Sequence, residues 1–146
     1  MNWVIKKFNA LTPHELYAIL QLRNEVFVVE QNCVFQDADN IDQHCHHFMG
    51  WMNDKLVAYT RLVPPGVVYP QPSIGRVVTS PSARRTGIGK ELMERSIGKL
   101  KEIFGETSIV IGAQLYLKIF YQSLGFQPFG DIYFEDGIKH IKMILS

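Results

Sequence analysis

The chain predicts a mixed α/β fold, a sheet of mixed strand direction covered by helices on both faces. Three observations predict it. The elements legible in the sequence run β, α, β, β, β, α, β, α, β, β, which interleaves hairpins with helical crossovers. Two segments carry apolar residues at helical spacing, around Leu16–Phe27 and Ile88–Phe104. Between the second of these and the C-terminus, residues 107–113 form a short Ile-Val-Ile run closed by Gly112, the pattern of a strand buried on both faces. A chain of 146 residues is the length of one ordinary domain, so a single domain over 1–146 is expected.

Residues 2–8 hold Val4, Ile5 and Phe8 and read as the first strand. Thr12, Pro13 and Glu15 then combine a capping hydroxyl, a proline at the first helical position and a carboxylate three residues beyond the cap. A helix over about 13–30 follows, its last turns loosened by the β-branched run Val26–Val29. Residues 31–46 are polar and aperiodic and read as a solvated loop with Asp37, Asp39 and Asp42. Strands at about 47–52 and 55–63 flank Asn53-Asp54, a hairpin turn. A proline-rich link leads to a strand over 74–80, ended by Pro81, which has no ladder donor. A second helix carries Ile88, Leu92, Met93, Ile97, Leu100 and Phe104 on one face. A third helix spans about 115–123 and stops at Gly125, and two last strands turn at Asp136-Gly137.

Composition excludes several classes of function. With 47% hydrophobic and 20% charged residues the chain is not a disordered tail, and a net charge of +1 supplies no global field for nucleic acid or anionic membrane. RNA binding through Arg84 and Arg85 lacks an aromatic stacking platform beside them. No apolar run reaches the ~18 residues of a membrane span, and Trp3, Lys6 and Lys7 stand where a signal segment would be apolar. Cys33 and Cys45 are too far apart for a Cys-x-x-Cys pair and fit a reducing, cytoplasmic compartment. In the cluster His44-Cys45-His46-His47, neighbours of an extended segment point to opposite faces, so at most two could meet one ion. No metal is expected.

The stretch Arg84-Arg85-Thr86-Gly87-Ile88-Gly89-Lys90 lies between a predicted strand and a predicted helix. A helix N-terminus offers unpaired N–H groups and the positive end of its dipole. Gly87 and Gly89 remove the Cβ atoms that would hold an anion away, and Arg84, Arg85 and Lys90 add charge at the rim. That chemistry suits a pyrophosphate. A Walker loop would need glycine at Arg84 and a hydroxyl at Glu91, and a dinucleotide fingerprint would need glycine at Leu92.

Pro81 followed by Arg84-x-x-Gly87-x-Gly89 resembles the pyrophosphate signature of the GNAT acetyltransferase superfamily, and Gln114 with Phe120 through Phe126 resembles its second motif. The segments Phe27–Cys33, Gln36-Asp37-x-Asp39 and Glu135-Asp136-Gly137-Ile138-x-His140 resemble the ElaA-like branch more narrowly. The resemblance implies a splayed parallel strand pair in a mostly antiparallel sheet, with acetyl-CoA as co-substrate and a small-molecule or peptide amine as acceptor. It implies that Val77, Val78 and Thr79 meet the pantetheine arm, that Arg84 through Lys90, Ile88 included, hold the pyrophosphate, and that Gln114 and Tyr121 lie by the cofactor. Gln114 stands where many relatives have Asn, and Leu117 where a small residue is usual.

Acyl transfer needs a proton for the leaving thiolate, a polarised carbonyl and a neutral amine. A phenol stays protonated above the thiol range, so Tyr121 suits the acid, and an N–H near Val78 suits the carbonyl. Glu30, Asp37, Asp39, Glu135 and His140 are all open as base, and imidazole titrates near neutrality. Asp37, Asp39 and Glu135 are the residues expected to hold a cationic amine. A non-catalytic acyl-CoA-binding module, acting on a protein partner through the acidic loop, is the alternative. A homodimer is left open, and no nucleic acid or membrane partner is expected.

Overall fold

The computed structural model describes residues 1–146. Strands β1 (Asn2–Lys7), β2 (His46–Met52), β3 (Lys55–Val63) and β4 (Ser73–Thr79) pair antiparallel in the order β1-β2-β3-β4. Strands β5 (Ile109–Gln114), β6 (Gln127–Glu135) and β7 (Ile138–Leu145) make a second antiparallel sheet in the order β5-β7-β6. The two sheets part between β4 and β5, the splayed pair that the resemblance implied. The Val110 N–H donates to Pro72 O at 3.1 Å where the two strands begin, and no ladder continues beyond it. Helix α2 (Ile88–Phe104) crosses over between them, the connection that parallel neighbours require.

Local chemistry accounts for most boundaries. The Thr12 hydroxyl accepts from the Glu15 N–H at 3.1 Å and the Glu15 carboxylate accepts from the Thr12 N–H at 2.8 Å, so helix α1 (Pro13–Arg23) starts on a complete capping box. Asn53 and Asp54 both take positive φ, as do Asp136 and Gly137, the backbone of two-residue hairpin turns. The expected helix over 13–30 is corrected at Asn24. From Asn24 to Glu30 the chain winds as a π-helix, closed by Gln31 N–H to Val26 O and Cys33 N–H to Val28 O, both five residues back. The β-branched Val26, Val28 and Val29 crowd a tight α turn, and the wider winding keeps Val26 buried while Val29 is exposed. The third helix begins as a 3₁₀ turn at Leu115–Leu117 before α3 (Lys118–Ser123).

Helices cover both faces of the first sheet. Ala58 and Leu62 of β3 pack with Leu92, Met93 and Leu100 of α2 in the larger core cluster, while Tyr59 packs with Ile19, Leu22 and Val26 beneath α1. Full burial of one such leucine contributes about 2 kcal/mol. Ser96, a buried polar residue on the α2 core face, shares a hydrogen bond with Thr60 at 2.7 Å and donates to Leu92 O at 2.7 Å. That pair fixes α2 over β3, and so fixes where its N-terminus points.

Candidate active site

A cleft of about 910 Å³ opens along the divergence of β4 and β5. One end reaches Gly89, Phe120 and Tyr121, and the other Tyr69, Glu135 and His140. At the first end the loop after β4 makes a short 3₁₀ turn at Pro81–Ala83 and enters α2 through Gly87 at φ +80. The left-handed region is costly for any side chain, which accounts for glycine there. In the Arg84–Glu91 stretch only the Arg84 and Glu91 N–H groups donate within the protein, to Pro81 O and Gly87 O. No side chain caps the helix. The amides of residues 85–90 are therefore bare at the positive end of a 17-residue helix. A Cβ on Gly87 would meet nothing within 4 Å and one on Gly89 only Phe120 at 4.0 Å, so no protein side chain fills the corner.

The rim departs from expectation in three places. Arg84 is held by Glu30 through two hydrogen bonds of 2.7 and 2.6 Å. The Thr86 hydroxyl donates to Ala83 O at 2.6 Å, which closes the loop on itself. Lys90 lies 3.9 Å from Glu94 on the exposed helix surface. These loop side chains shape the corner, and the donors within it are backbone.

The β4 ladder sorts the three residues expected along the pantetheine arm. Ser80 N–H donates to Val57 O at 2.7 Å, and Ala58 and Tyr59 lie opposite Thr79 and Val78. The period-two alternation of an antiparallel ladder then turns the backbone groups of Val78 toward β3 and those of Val77 and Thr79 toward β5. Val78 is thereby corrected as a cleft-facing backbone donor. Next to it the register jumps, Tyr59 opposing Val78 and Arg61 opposing Gly75, so Arg76 and Val77 share one partner position in a β-bulge.

Tyr121 is 5% exposed and lines the cleft, and burial together with the neighbouring Tyr116 pushes its phenol well above the usual range near 10. His140, also in the cleft lining, donates from Nδ1 to Ile138 O at 2.8 Å, because a carbonyl can only accept. Its Nε2 is the ring nitrogen without a backbone partner and stands 3.5 Å from the exposed Glu135 carboxylate. Tyr133 stacks on the imidazole with ring centroids 5.6 Å apart. Gln114, at the end of β5, exchanges amide hydrogen bonds with Gln31 at 3.2 and 3.4 Å across the cleft mouth.

Glu30, expected among the bases, is engaged elsewhere: its hydrogen bonds from Arg84, reinforced by the guanidinium charge, lower its pKa below the ordinary carboxylate range. That is the wrong direction for a base near neutrality. The aspartates are corrected more thoroughly. Asp37 and Asp42 are buried, and with Asp39 they bind three arginines. Arg23 Nε meets Asp37 Oδ2 at 2.7 Å and its Nη1 meets Asp42 Oδ1 at 2.8 Å, while Arg61 and Arg76 share Asp39. Burial opposes ionisation at Asp39 and Asp42, but the arginine hydrogen bonds and charges outweigh it and lower both pKa values. Three carboxylates face three guanidiniums, which leaves no charge for a cationic amine. The loop is a buried ion cluster rather than a solvated segment. Its arginines gave no sequence signal except Arg76, a charged residue amid the β-branched strand.

The histidine run is only partly extended: His44 ends a 3₁₀ turn, and His46 and His47 open β2. His47 is buried, accepting at Nδ1 from the Tyr59 hydroxyl at 2.7 Å and donating from Nε2 to Asp42 O at 2.9 Å, while His46 sits edge-on to Phe104. No group of three or more His, Cys, Asp or Glu side chains is arranged to hold a metal ion.

The family model described as "Acetyltransferase (GNAT) domain" matches residues 13–146. The chain belongs to the GNAT acetyltransferase family. Within it the chain falls in the ElaA-like branch: protein ElaA of Escherichia coli is 41% identical over 145 residues, covering 98% of this chain and 95% of ElaA. A UPF0039 protein of Synechocystis is 42% identical over 145 residues, covering 99% of this chain and 94% of that protein. Among solved structures, an acyl-CoA N-acyltransferase from Pseudomonas aeruginosa superposes with a TM-score of 0.95 at 42% identity, covering 99% of both chains. Escherichia coli ElaA superposes with a TM-score of 0.92 at 39% identity, again over 99% of both. No helix of this GNAT chain is long and apolar enough to cross a membrane.

Proposed function

We propose that this protein is a cytoplasmic N-acetyltransferase that moves the acetyl group of acetyl-CoA to a primary amine of a small molecule or peptide. The observation that carries the reading is the set of bare amides at residues 85–90, beside a strand that has lost its ladder partner. A diphosphate satisfies the first feature, and an amide-bearing arm laid along Val77 and Thr79 satisfies the second. The Pseudomonas relative, an acyl-CoA N-acyltransferase, supports the same chemistry.

Acetyl-CoA supplies the thioester; the chain's own residues supply orientation and protons. The amides of 85–90 bind the anionic end, and the outward groups of Val77 and Thr79 align the arm. Tyr121 keeps its proton at neutral pH, so its hydroxyl can hydrogen-bond to the departing sulfur and stabilise the charge that develops there; a thiolate, whose thiol titrates near pH ~8.5, leaves without needing the full phenol proton. His140 Nε2 is placed to take the proton of the attacking amine, and Glu135 at 3.5 Å stabilises the imidazolium that results. Glu135 is the one acidic residue of the expected acceptor set that is not bound to an arginine.

The non-catalytic alternative relied on an acidic loop free to meet a protein, and that loop's carboxylates are held by Arg23, Arg61 and Arg76. Turnover decides between the two. Acetyl-CoA with a broad amine panel should release free thiol, followed colorimetrically. Acetyl-CoA that raises the melting temperature while every amine leaves thiol release at background would overturn the enzymatic reading.

A further inference from the structure

We propose that Arg76 is a positioning residue for acyl transfer: clamped by Asp37 and Asp39, it holds the β4 bulge in a left-handed conformation that turns the Val77 amide into the cleft. The assignment rests on the acetyl-CoA reading above. Its starting point is a backbone anomaly. Arg76 sits within a strand at φ +49, a region that non-glycine residues enter at a cost and keep only when their surroundings impose it.

The surroundings do impose it. Arg76 Nε donates to Asp37 Oδ1 at 2.7 Å, and Nη2 donates to Asp37 O at 3.1 Å and to Asp39 Oδ2 at 3.2 Å. Each anchor is itself fixed, Asp37 by Arg23 at 2.7 Å and Asp39 by Arg61 at 2.8 and 3.0 Å. If residue 76 relaxed to an extended conformation, the two-against-one count opposite β3 would be lost and one side of the bulge would slip by a residue. Where the Val78 side slips, Val77 comes to oppose Tyr59, and because a one-residue slip exchanges the faces of a strand its N–H turns from the cleft toward β3. The guanidinium itself faces the acidic cluster, so Arg76 acts through the backbone of its neighbour. The cluster does not need Arg76 to fold, since Asp37 keeps Arg23 and Asp39 keeps Arg61.

The test compares Arg76→Ala with Arg76→Gly. Both remove the clamp, but glycine occupies φ +49 without strain and alanine does not. Three quantities are measured: backbone chemical shifts of residues 76 and 77 in the free protein, the carbonyl stretch of bound isotope-labelled acetyl-CoA, and kcat with the best amine of the panel. Arg76→Ala should lose the left-handed shifts and the lowered carbonyl frequency, and kcat should fall about tenfold. Its affinity for acetyl-CoA should change less than about twofold, because the amides of 85–90 are untouched. Arg76→Gly should retain the carbonyl shift and keep kcat within about threefold of the parent. Equal carbonyl frequency and kcat in parent and Arg76→Ala would overturn the assignment, even with a lower melting temperature, since the role would then be stability alone. An Arg76→Gly variant as slow as Arg76→Ala would overturn it too, by showing that the guanidinium rather than the backbone matters. A parent protein that fails to bind acetyl-CoA would overturn the functional reading and this inference with it.

Discussion

Two polar loops border the same cleft, residues 31–42 and residues 84–90, and they treat their polarity in opposite ways. In the first, Asp37, Asp39 and Asp42 are each bound to arginine, and Arg23 is fully buried among them. In the second, six successive amides have no partner in the protein. Charges withdrawn from water are matched within the protein, whereas the loop amides open to solvent at a helix start and stay free for a ligand, so the contrast is informative. Matched charge marks scaffold, and unmatched donors at a helix start mark the place of a ligand. By that criterion the acidic loop, whose composition suggests recognition, supports the fold, and the glycine loop is the one the proposed function assigns to recognition.

The contrast can be broken most forcefully at Arg23. Replacing it with methionine strands the buried Asp42 and Asp37 charges with fewer partners and should cost about 3 kcal/mol of stability, read from urea unfolding. A loss below about 1 kcal/mol would mean the cluster is not scaffold. Next in size is Tyr121→Phe, which should lower kcat about a hundredfold while leaving the acetyl-CoA dissociation constant unchanged; a normal kcat would remove the acid role. Gly87→Val places a branched side chain at φ +80 and should weaken acetyl-CoA about tenfold by calorimetry, and unchanged affinity would refute the bare-amide corner. Smallest is Glu30→Gln. It frees Arg84 for the diphosphate and should tighten acetyl-CoA by no more than about threefold, an effect that disappears in high salt because the pair is exposed. A collapse of kcat in that variant would instead restore Glu30 as a base.

The sequence revealed what is settled over a few residues. Thr12-Pro13-Glu15 announced a helix start because capping is a three-residue exchange, and Asn53-Asp54 and Asp136-Gly137 announced turns because they tolerate positive φ. Gly87 was legible for the same reason, and Gly89, in ordinary helical backbone, because a missing Cβ leaves room beside a helix start. The ion cluster was not, since Arg23, Arg61 and Arg76 reach Asp37 and Asp39 across 14 to 39 residues of chain, a pairing no local pattern encodes. The mixed role of β4 was half legible. Its β-branched residues gave the strand, but the bulge that separates Val77 from Val78 depends on a clamp built elsewhere. Glu30 shows the converse limit: a carboxylate near a site is a base by inventory until its partner is known, and Arg84 lies 54 residues away.

The π-wound stretch Asn24–Glu30 has a geometric consequence. Its phase delivers Glu30 to Arg84 and Gln31 to Gln114, so one irregular turn bridges both banks of the divergence between β4 and β5. Deleting a single residue from it would restore ordinary helical winding and swing both side chains away. In an otherwise regular scaffold, that odd turn is a stitch across the seam between the two sheets.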